Sequence, residues 1–124
     1  PDEFDVLVAS NLFGDILTDL GAGISGSMGL APSTNIDPTG EYPSMFEPVH
    51  GSGFDIMGKG IANPIATVLS WELLWDHLDE PTVAETLRTA VADQLADSGA
   101  PRTPDIGGDA GTEQVAADLR DRIS

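Results

Sequence analysis

The sequence contains no cysteine and only 5 basic residues, against 21 acidic ones. Without cysteine, the chain has neither disulfides nor thiol chemistry. The formal net charge of −16 repels nucleic acids and anionic membranes, so we expect neither as a partner. No apolar run in these residues reaches the length needed to span a bilayer, and we expect no signal peptide. We therefore expect a cytoplasmic protein with a small-molecule substrate.

The acidic residues are dispersed along the chain, and 40% of the residues are hydrophobic. A chain of 124 residues with this composition can bury the core of one domain, so disorder is not expected. Lys59 is the only lysine. A dispersed acidic excess with so little lysine is typical of proteins that work in high salt. We expect a halophilic protein that unfolds in low salt and recovers when salt is added.

Two aspartates four residues apart, Asp15 and Asp19, follow an apolar run at residues 4–10 that is predicted to be a strand. If the aspartate segment is helical, both carboxylates lie on one face. Their oxygens suit Mg²⁺ or Mn²⁺, and a cation would reverse their mutual repulsion. The apolar residues around them predict a largely buried element. The alternative is a solvated acidic face in a very acidic chain.

Turn and helix signals divide the rest of the chain. The small residues at 21–29 predict either a tight connection or a subunit contact. Short extended runs are predicted at 30–36 and around 45–47, with a turn between them. Three helices are predicted, the first so widely apolar that we expect it to be buried on more than one side. They begin at Asn63-Pro64, at Pro81 and at Thr112, which is expected to cap the last one.

A glycine-rich loop from His50 to Asn63 has the parts of an adenosine site. Glycine lets the backbone approach a ligand, and Asp55 can accept hydrogen bonds from both ribose hydroxyls. Its charge would repel a 2′-phosphate, which favours NAD over NADP. Asn63 either reads the adenine edge or caps the next helix, and the sequence favours the cap. The loop also has Walker A spacing, but Gly60 replaces the required Ser or Thr.

Three segments resemble the β-decarboxylating dehydrogenases, the isocitrate/isopropylmalate dehydrogenase family: 11–21, 46–52 and 58–64. The resemblance covers essentially the whole chain. It implies an α/β protein, part of the isopropylmalate-dehydrogenase-like fold with a mixed sheet flanked by helices. Residues 41–48 look most like the tartrate/D-malate branch, with the 3-isopropylmalate branch close behind. Family members are roughly two to three times as long, so the resemblance implies that residues 1–124 are a C-terminal portion, incomplete relative to the family.

The activity that the resemblance implies is oxidative decarboxylation of a (2R)-hydroxy acid of the tartrate/D-malate type, dependent on NAD and on Mg²⁺ or Mn²⁺. One alternative is a 3-isopropylmalate, isocitrate or homoisocitrate dehydrogenase. Another is a segment that only binds cofactor or dimerises, and a third is an unrelated acidic structural domain. The catalytic tyrosine and lysine of relatives lie upstream of this segment, so we expect no catalytic residue here and an inactive isolated segment.

The resemblance also assigns residues to sites. Asp15 and Asp19 match the metal-binding aspartates, and the small residues at 21–29 fall in the region that forms the family's homodimer. The residues implied to bind the cofactor are Glu47, His50, Gly51, Ser52, Gly53, Asp55, Ile56, Gly60, Ala62 and Asn63.

Overall fold

Four helices and one short β-hairpin make up the computed structural model, which describes residues 3–124. Two 3-10 turns, Met28–Leu30 and Pro104–Ile106, lie between the regular elements. In chain order the elements are α1 (Asn11–Ser25), β1 (Pro32–Asn35), β2 (Met45–Pro48), α2 (Ile65–His77), α3 (Pro81–Ala96) and α4 (Thr112–Ile123).

The two strands pair antiparallel, with Pro32 opposite Pro48 and Asn35 opposite Met45. Both strands lie where short extended runs were predicted, so these predictions are confirmed. Within residues 3–124 this pair is the whole sheet, and the helices complete an α/β arrangement. Proline at one end of each strand is compatible with the pairing because these are edge positions.

The core lies where α2, α3 and the start of α4 meet. Its buried side chains include Ile65 of α2, Val91 of α3, and Val115 and Leu119 of α4. Helix α2 packs against α3 and also against both strands of the hairpin. The prediction that this helix is covered on more than one side is therefore confirmed. All three helices begin within two residues of the positions that their proline and cap signals predicted.

The predicted strand at residues 4–10 is wrong. This segment has no regular secondary structure, and its apolar side chains face solvent, with Val8 95% exposed. A strand exists only through hydrogen bonds to a neighbouring strand, and no segment among residues 3–124 pairs with this one. The short apolar run at these residues suits a buried strand, but no partner strand lies among residues 3–124.

Helix α1 also differs from the sequence-based prediction. The small residues at 21–25 continue the helix instead of forming a tight connection, and the helix ends at Gly26, which has φ of 124°. Glycine tolerates a positive φ that other residues avoid, so it stops the helix there. Among its residues Ala22 alone is buried, so α1 is not the buried element that its apolar content predicted.

The exposed side chains of α1 form a continuous apolar stripe because they recur at helical spacing. Each is more than half exposed. We call this surface the α1 stripe, and it consists of Leu12, Phe13, Ile16, Leu17, Leu20 and Ile24.

Candidate functional site

The two aspartates predicted to bind metal lie one helical turn apart on α1, and both are exposed. The Nδ2 atom of Asn11 donates to Oδ2 of Asp15 over 3.3 Å. No group of three or more His, Asp or Glu residues suited to a metal ion occurs among residues 3–124. The carboxylates of Asp15 and Asp19 are hard oxygen groups of the kind that Mg²⁺ and Mn²⁺ prefer, and two of them would fill only part of such an ion's coordination sphere.

A cleft of about 330 Å³ lies beside the glycine-rich loop, between the turn that follows α1 and the start of α2. Its volume falls at the lower end of the range for small-molecule sites, about 300–1,000 Å³. The cleft is lined by Ser27, Met28, Gly29, His50, Gly51, Gly53, Ile56, Ile61, Ala62, Asn63, Pro104 and Asp105.

Six of the ten residues predicted to bind the cofactor line this cleft: His50, Gly51, Gly53, Ile56, Ala62 and Asn63. The structure therefore brings together residues that are up to 13 positions apart in the sequence (50 to 63). The other four lie outside the lining. They are Glu47 on β2, Ser52 and Asp55 in the loop, and Gly60.

The side chain of Asn63 caps helix α2. Its Oδ1 accepts the backbone N–H of Ile65 over 3.0 Å, and its Nδ2 donates to Oδ2 of Asp105, also over 3.0 Å. The residue is only 8% exposed. The hydrogen bond expected of a capping asparagine is thus present, although Pro64 lies between Asn63 and the first residue of the helix. Because both ends of the amide already have one partner, the side chain keeps one N–H of Nδ2 and one lone pair of Oδ1 for a ligand.

A carboxylate that the sequence analysis did not single out, Asp105, lines the same cleft. Its Oδ2 accepts a hydrogen bond from Oγ of Ser27 over 2.6 Å as well as the one from Asn63. Partial burial opposes ionisation, but these hydrogen bonds outweigh it and the pKa of Asp105 lies below its usual value. Ser27 is 78 positions away in the sequence, so no local sequence pattern predicts this contact.

The first turn of α4 holds one wall of the cleft in place. The backbone N–H of Thr112 donates to the carbonyl oxygen of Gly60 over 2.8 Å, and its hydroxyl donates to that of Ala62 over 2.5 Å. The prediction that Thr112 caps α4 is wrong. The capping residue is Gly111, whose N–H donates to Oε1 of Gln114, and this leaves the threonine hydroxyl for the neighbouring loop.

A larger and more open groove of about 590 Å³ runs along α3 beside the end of α4. It contains none of the residues predicted to bind cofactor or metal. Its one basic residue, Arg122, forms ion pairs with Asp97 and Asp118 over 2.8 and 2.6 Å. Since this charge is already neutralised, the smaller, glycine-lined cleft is the better candidate site.

The sequence pattern of the family described as "Isocitrate/isopropylmalate dehydrogenase" matches residues 1–122. The chain belongs to this family. Members of the family are β-decarboxylating dehydrogenases, so the resemblance seen in the sequence is confirmed. None of the helices described within residues 3–124 combines the length and the apolar content needed to cross a membrane.

Relatives that are named for different activities resemble the chain to a similar degree. A probable tartrate dehydrogenase/decarboxylase of Bacillus subtilis is 48% identical over 123 residues, covering 99% of this chain and 34% of the relative. A 3-isopropylmalate dehydrogenase of Streptomyces griseus is 56% identical over 119 residues, covering 94% and 34%. The crystal structure of isocitrate dehydrogenase from Methylococcus capsulatus superposes with a TM-score of 0.89 at 44% identity, covering 99% and 36%.

The chain therefore spans about a third of the length of the relatives that it matches. The superposition on a solved structure confirms the expected fold class, and also confirms that the segment is incomplete relative to the family.

Proposed function

We propose that the protein catalyses NAD-dependent, divalent-metal-dependent oxidative decarboxylation of a (2R)-hydroxy acid. The observation that carries this proposal is the cleft at which six predicted cofactor residues meet. It is supported by the two exposed carboxylates of α1 in a chain of the dehydrogenase family.

The cleft is proposed to hold the adenosine end of NAD. Glycines at 51 and 53 leave room for the ligand against the backbone, and Ile56 offers an apolar surface to the adenine ring. Asp55 lies in the exposed turn between these residues, and we assign it to the ribose hydroxyls. When bound, NAD supplies the acceptor for the hydride that leaves the substrate. The chain's own part is to bind and orient the adenosine.

Asp15 and Asp19 are proposed to hold Mg²⁺ or Mn²⁺ together with ligands from outside this segment. A divalent ion there would act as a Lewis acid on the substrate oxygen during loss of CO₂. The consecutive turns of α1 fix the spacing of the two carboxylates. The segment alone is expected to bind the metal weakly, because it supplies only two protein ligands.

For the substrate we propose a member of the tartrate/D-malate group, on the resemblance of residues 41–48. The second candidate is 3-isopropylmalate, because the 3-isopropylmalate dehydrogenase of Streptomyces griseus is 56% identical to this chain. The choice is tested with the protein in its full natural length, Mn²⁺, NAD⁺ and high salt, by following NADH absorbance. Highest kcat/KM with tartrate or D-malate supports the first candidate, and highest kcat/KM with 3-isopropylmalate selects the second. No NADH with any of these acids, or with isocitrate and homoisocitrate, overturns the proposal.

Assay of residues 1–124 alone distinguishes a whole enzyme from a binding module. We expect no turnover from this segment, because it supplies none of the family's expected catalytic residues. Turnover at the rate of the full-length protein would contradict the view that the chemistry needs residues outside it.

The α1 stripe is proposed to be a subunit contact in a homodimer. An exposed apolar surface of this kind marks an interaction site, and two-fold homodimers are the commonest oligomers. Light scattering of the full-length protein tests this. A dimer that Ile16→Asp converts to monomer supports the contact, while a dimer unaffected by that change places the contact elsewhere.

A further inference from the structure

A chain of hydrogen bonds runs along the cleft from the turn after α1 to the first turn of α2. The N–H of Gly29 donates to Oγ of Ser27 over 2.9 Å, and that hydroxyl donates to Oδ2 of Asp105 over 2.6 Å. The same Oδ2 accepts Nδ2 of Asn63, whose Oδ1 accepts the N–H of Ile65. One carboxylate oxygen therefore joins the two walls of the cleft.

The carboxylate also fixes which way the amide of Asn63 faces. In the observed orientation the NH₂ group meets a carboxylate and the oxygen meets a backbone N–H. With the amide reversed, its oxygen would face Asp105 and its NH₂ group would face the N–H of Ile65. Both contacts would be repulsive, so Asp105 sets the direction in which the remaining N–H of Asn63 points.

The approach of the two walls is closer than a side chain at position 29 would allow. A Cβ built on Gly29 would lie 2.6 Å from Oδ2 of Asp105 and 2.8 Å from Cβ of Asn63. Real Cβ atoms do not make such contacts. A glycine at this position is therefore a condition for the hydrogen-bonded chain, for steric reasons that have nothing to do with its backbone angles.

We propose that Asp105 is a positioning residue of the cleft, which holds the Ser27–Gly29 turn against Asn63 at the separation that the adenosine moiety needs. This inference rests on the proposed NAD site. Asp105 makes no contact with reacting atoms in this role. It acts through the side chain of Asn63 and the backbone of the turn.

The test measures binding of ADP-ribose to the full-length protein by calorimetry, together with KM for NAD⁺ and kcat. We expect Asp105→Ala to raise the Kd for ADP-ribose and KM for NAD⁺ by about tenfold or more, the effect of losing a charged hydrogen bond. We expect kcat at saturating NAD⁺ to stay within about twofold, because the loss falls on binding. Asp105→Asn keeps one acceptor oxygen and should recover part of the affinity.

A second substitution distinguishes the effect of the spacing between the cleft walls from the effect of the charge on Asp105. Gly29→Ala removes no polar group, yet it forces the walls apart, so it should raise the Kd in the same direction. The matched controls are Asp109→Ala, an exposed acid in the same loop, and Gly99→Ala, whose new Cβ meets its nearest neighbour at 3.4 Å. Both should leave the Kd within about twofold.

The outcomes distinguish this inference from the proposed function. If Asp105→Ala lowers the melting temperature but leaves the Kd for ADP-ribose unchanged, Asp105 is merely structural and the inference is overturned. If Asp105→Ala does not fold, the Kd values of Gly29→Ala and Asp105→Asn for ADP-ribose take its place, and values equal to that of the wild type overturn the inference. If the wild-type protein binds no ADP-ribose, the cofactor site and this inference both fail together.

Discussion

Glu72 on α2 forms an ion pair with Arg88 on α3 in which the carboxylate is buried and the guanidinium is half exposed. The side chains are 6% and 54% accessible respectively. The hydrogen bond to Glu72, followed by its charge, raises the pKa of Arg88 above its usual value. The pair joins the two helices that carry much of the core, so its loss weakens the packing of α2 against α3.

Removing one partner of this pair should lower the melting temperature more than removing both. We expect Arg88→Met to lower the melting temperature clearly, because it leaves a buried carboxylate without a partner. The double variant with Glu72→Met should recover at least half of that loss. Glu85→Gln is the control, since it removes only the exposed second partner of Arg88 and should have little effect. A double variant less stable than Arg88→Met would contradict this account.

The carboxylate of Asp37 gives the hairpin connection a pH dependence. It accepts the N–H of Tyr42 over 2.8 Å and the N–H and hydroxyl of Thr39 over 3.0 and 2.8 Å. The Tyr42 bond, followed by those from Thr39, lowers the pKa of Asp37 below its ordinary 3.8. A lowered folded-state pKa contributes stability above pH 3.8, which is lost as the pH falls through the folded-state pKa.

We therefore expect Asp37→Asn to lower the free energy of unfolding near neutral pH and to make its decline below pH 4 less steep. Urea titrations over a series of pH values measure both effects. Asp5→Asn, an exposed acid outside any helix or strand, is the control and should leave the pH profile unchanged. Identical profiles for wild type and Asp37→Asn would show that this carboxylate is not part of the acid response.

Asp15→Asn in the full-length protein should abolish metal-dependent turnover while leaving the fold intact. The amide keeps the size of the side chain but loses the charge that attracts a divalent cation. We expect kcat with Mn²⁺ to fall roughly a hundredfold and calorimetry to show weaker Mn²⁺ binding. Asp121→Asn, on the exposed face of α4, is the matched control. Unchanged activity in Asp15→Asn would remove the metal role.

Asp55→Lys should move cofactor preference from NAD towards NADP. The substitution removes the charge that repels a 2′-phosphate and adds one that attracts it. We expect the ratio of kcat/KM for the two cofactors to shift by roughly tenfold. Asp76→Lys makes the same charge change on the exposed end of α2 and controls for long-range effects. If both variants shift the ratio equally, Asp55 has no specific contact with the ribose.

The accuracy of the sequence-based predictions depended on whether the signal was local. The starts of α2 and α3 were predicted because Pro64 and Pro81 act on their own turns of the chain. The strand predicted at 4–10 failed because a strand also needs a partner, which no pattern inside the segment can reveal. The end of α1 was missed for a related reason. Of the four glycines between residues 21 and 29, only Gly26 has a positive φ, and the helix ends there.

The same distinction between local signals and long-range contacts applies to the residues of the candidate site. The loop residues that line the cleft were found because they form one continuous glycine-rich segment. Asp105 was missed because its partners, Ser27 and Asn63, lie 78 and 42 positions away. The hydroxyl of Thr112 was assigned to a local cap, yet it bonds to Ala62, 50 positions earlier. Such long-range contacts follow from packing, and a single sequence carries no direct record of them.

The contact between Thr112 and the loop also determines where the protein can be labelled. Thr112 is the first residue of α4, and the helix has 12 residues, so its far end stands about 18 Å away along the axis. A fluorophore or affinity handle attached at Ser124 is therefore a full helix length from the cleft. The same attachment at Gly111 would displace the threonine and loosen the wall that it secures.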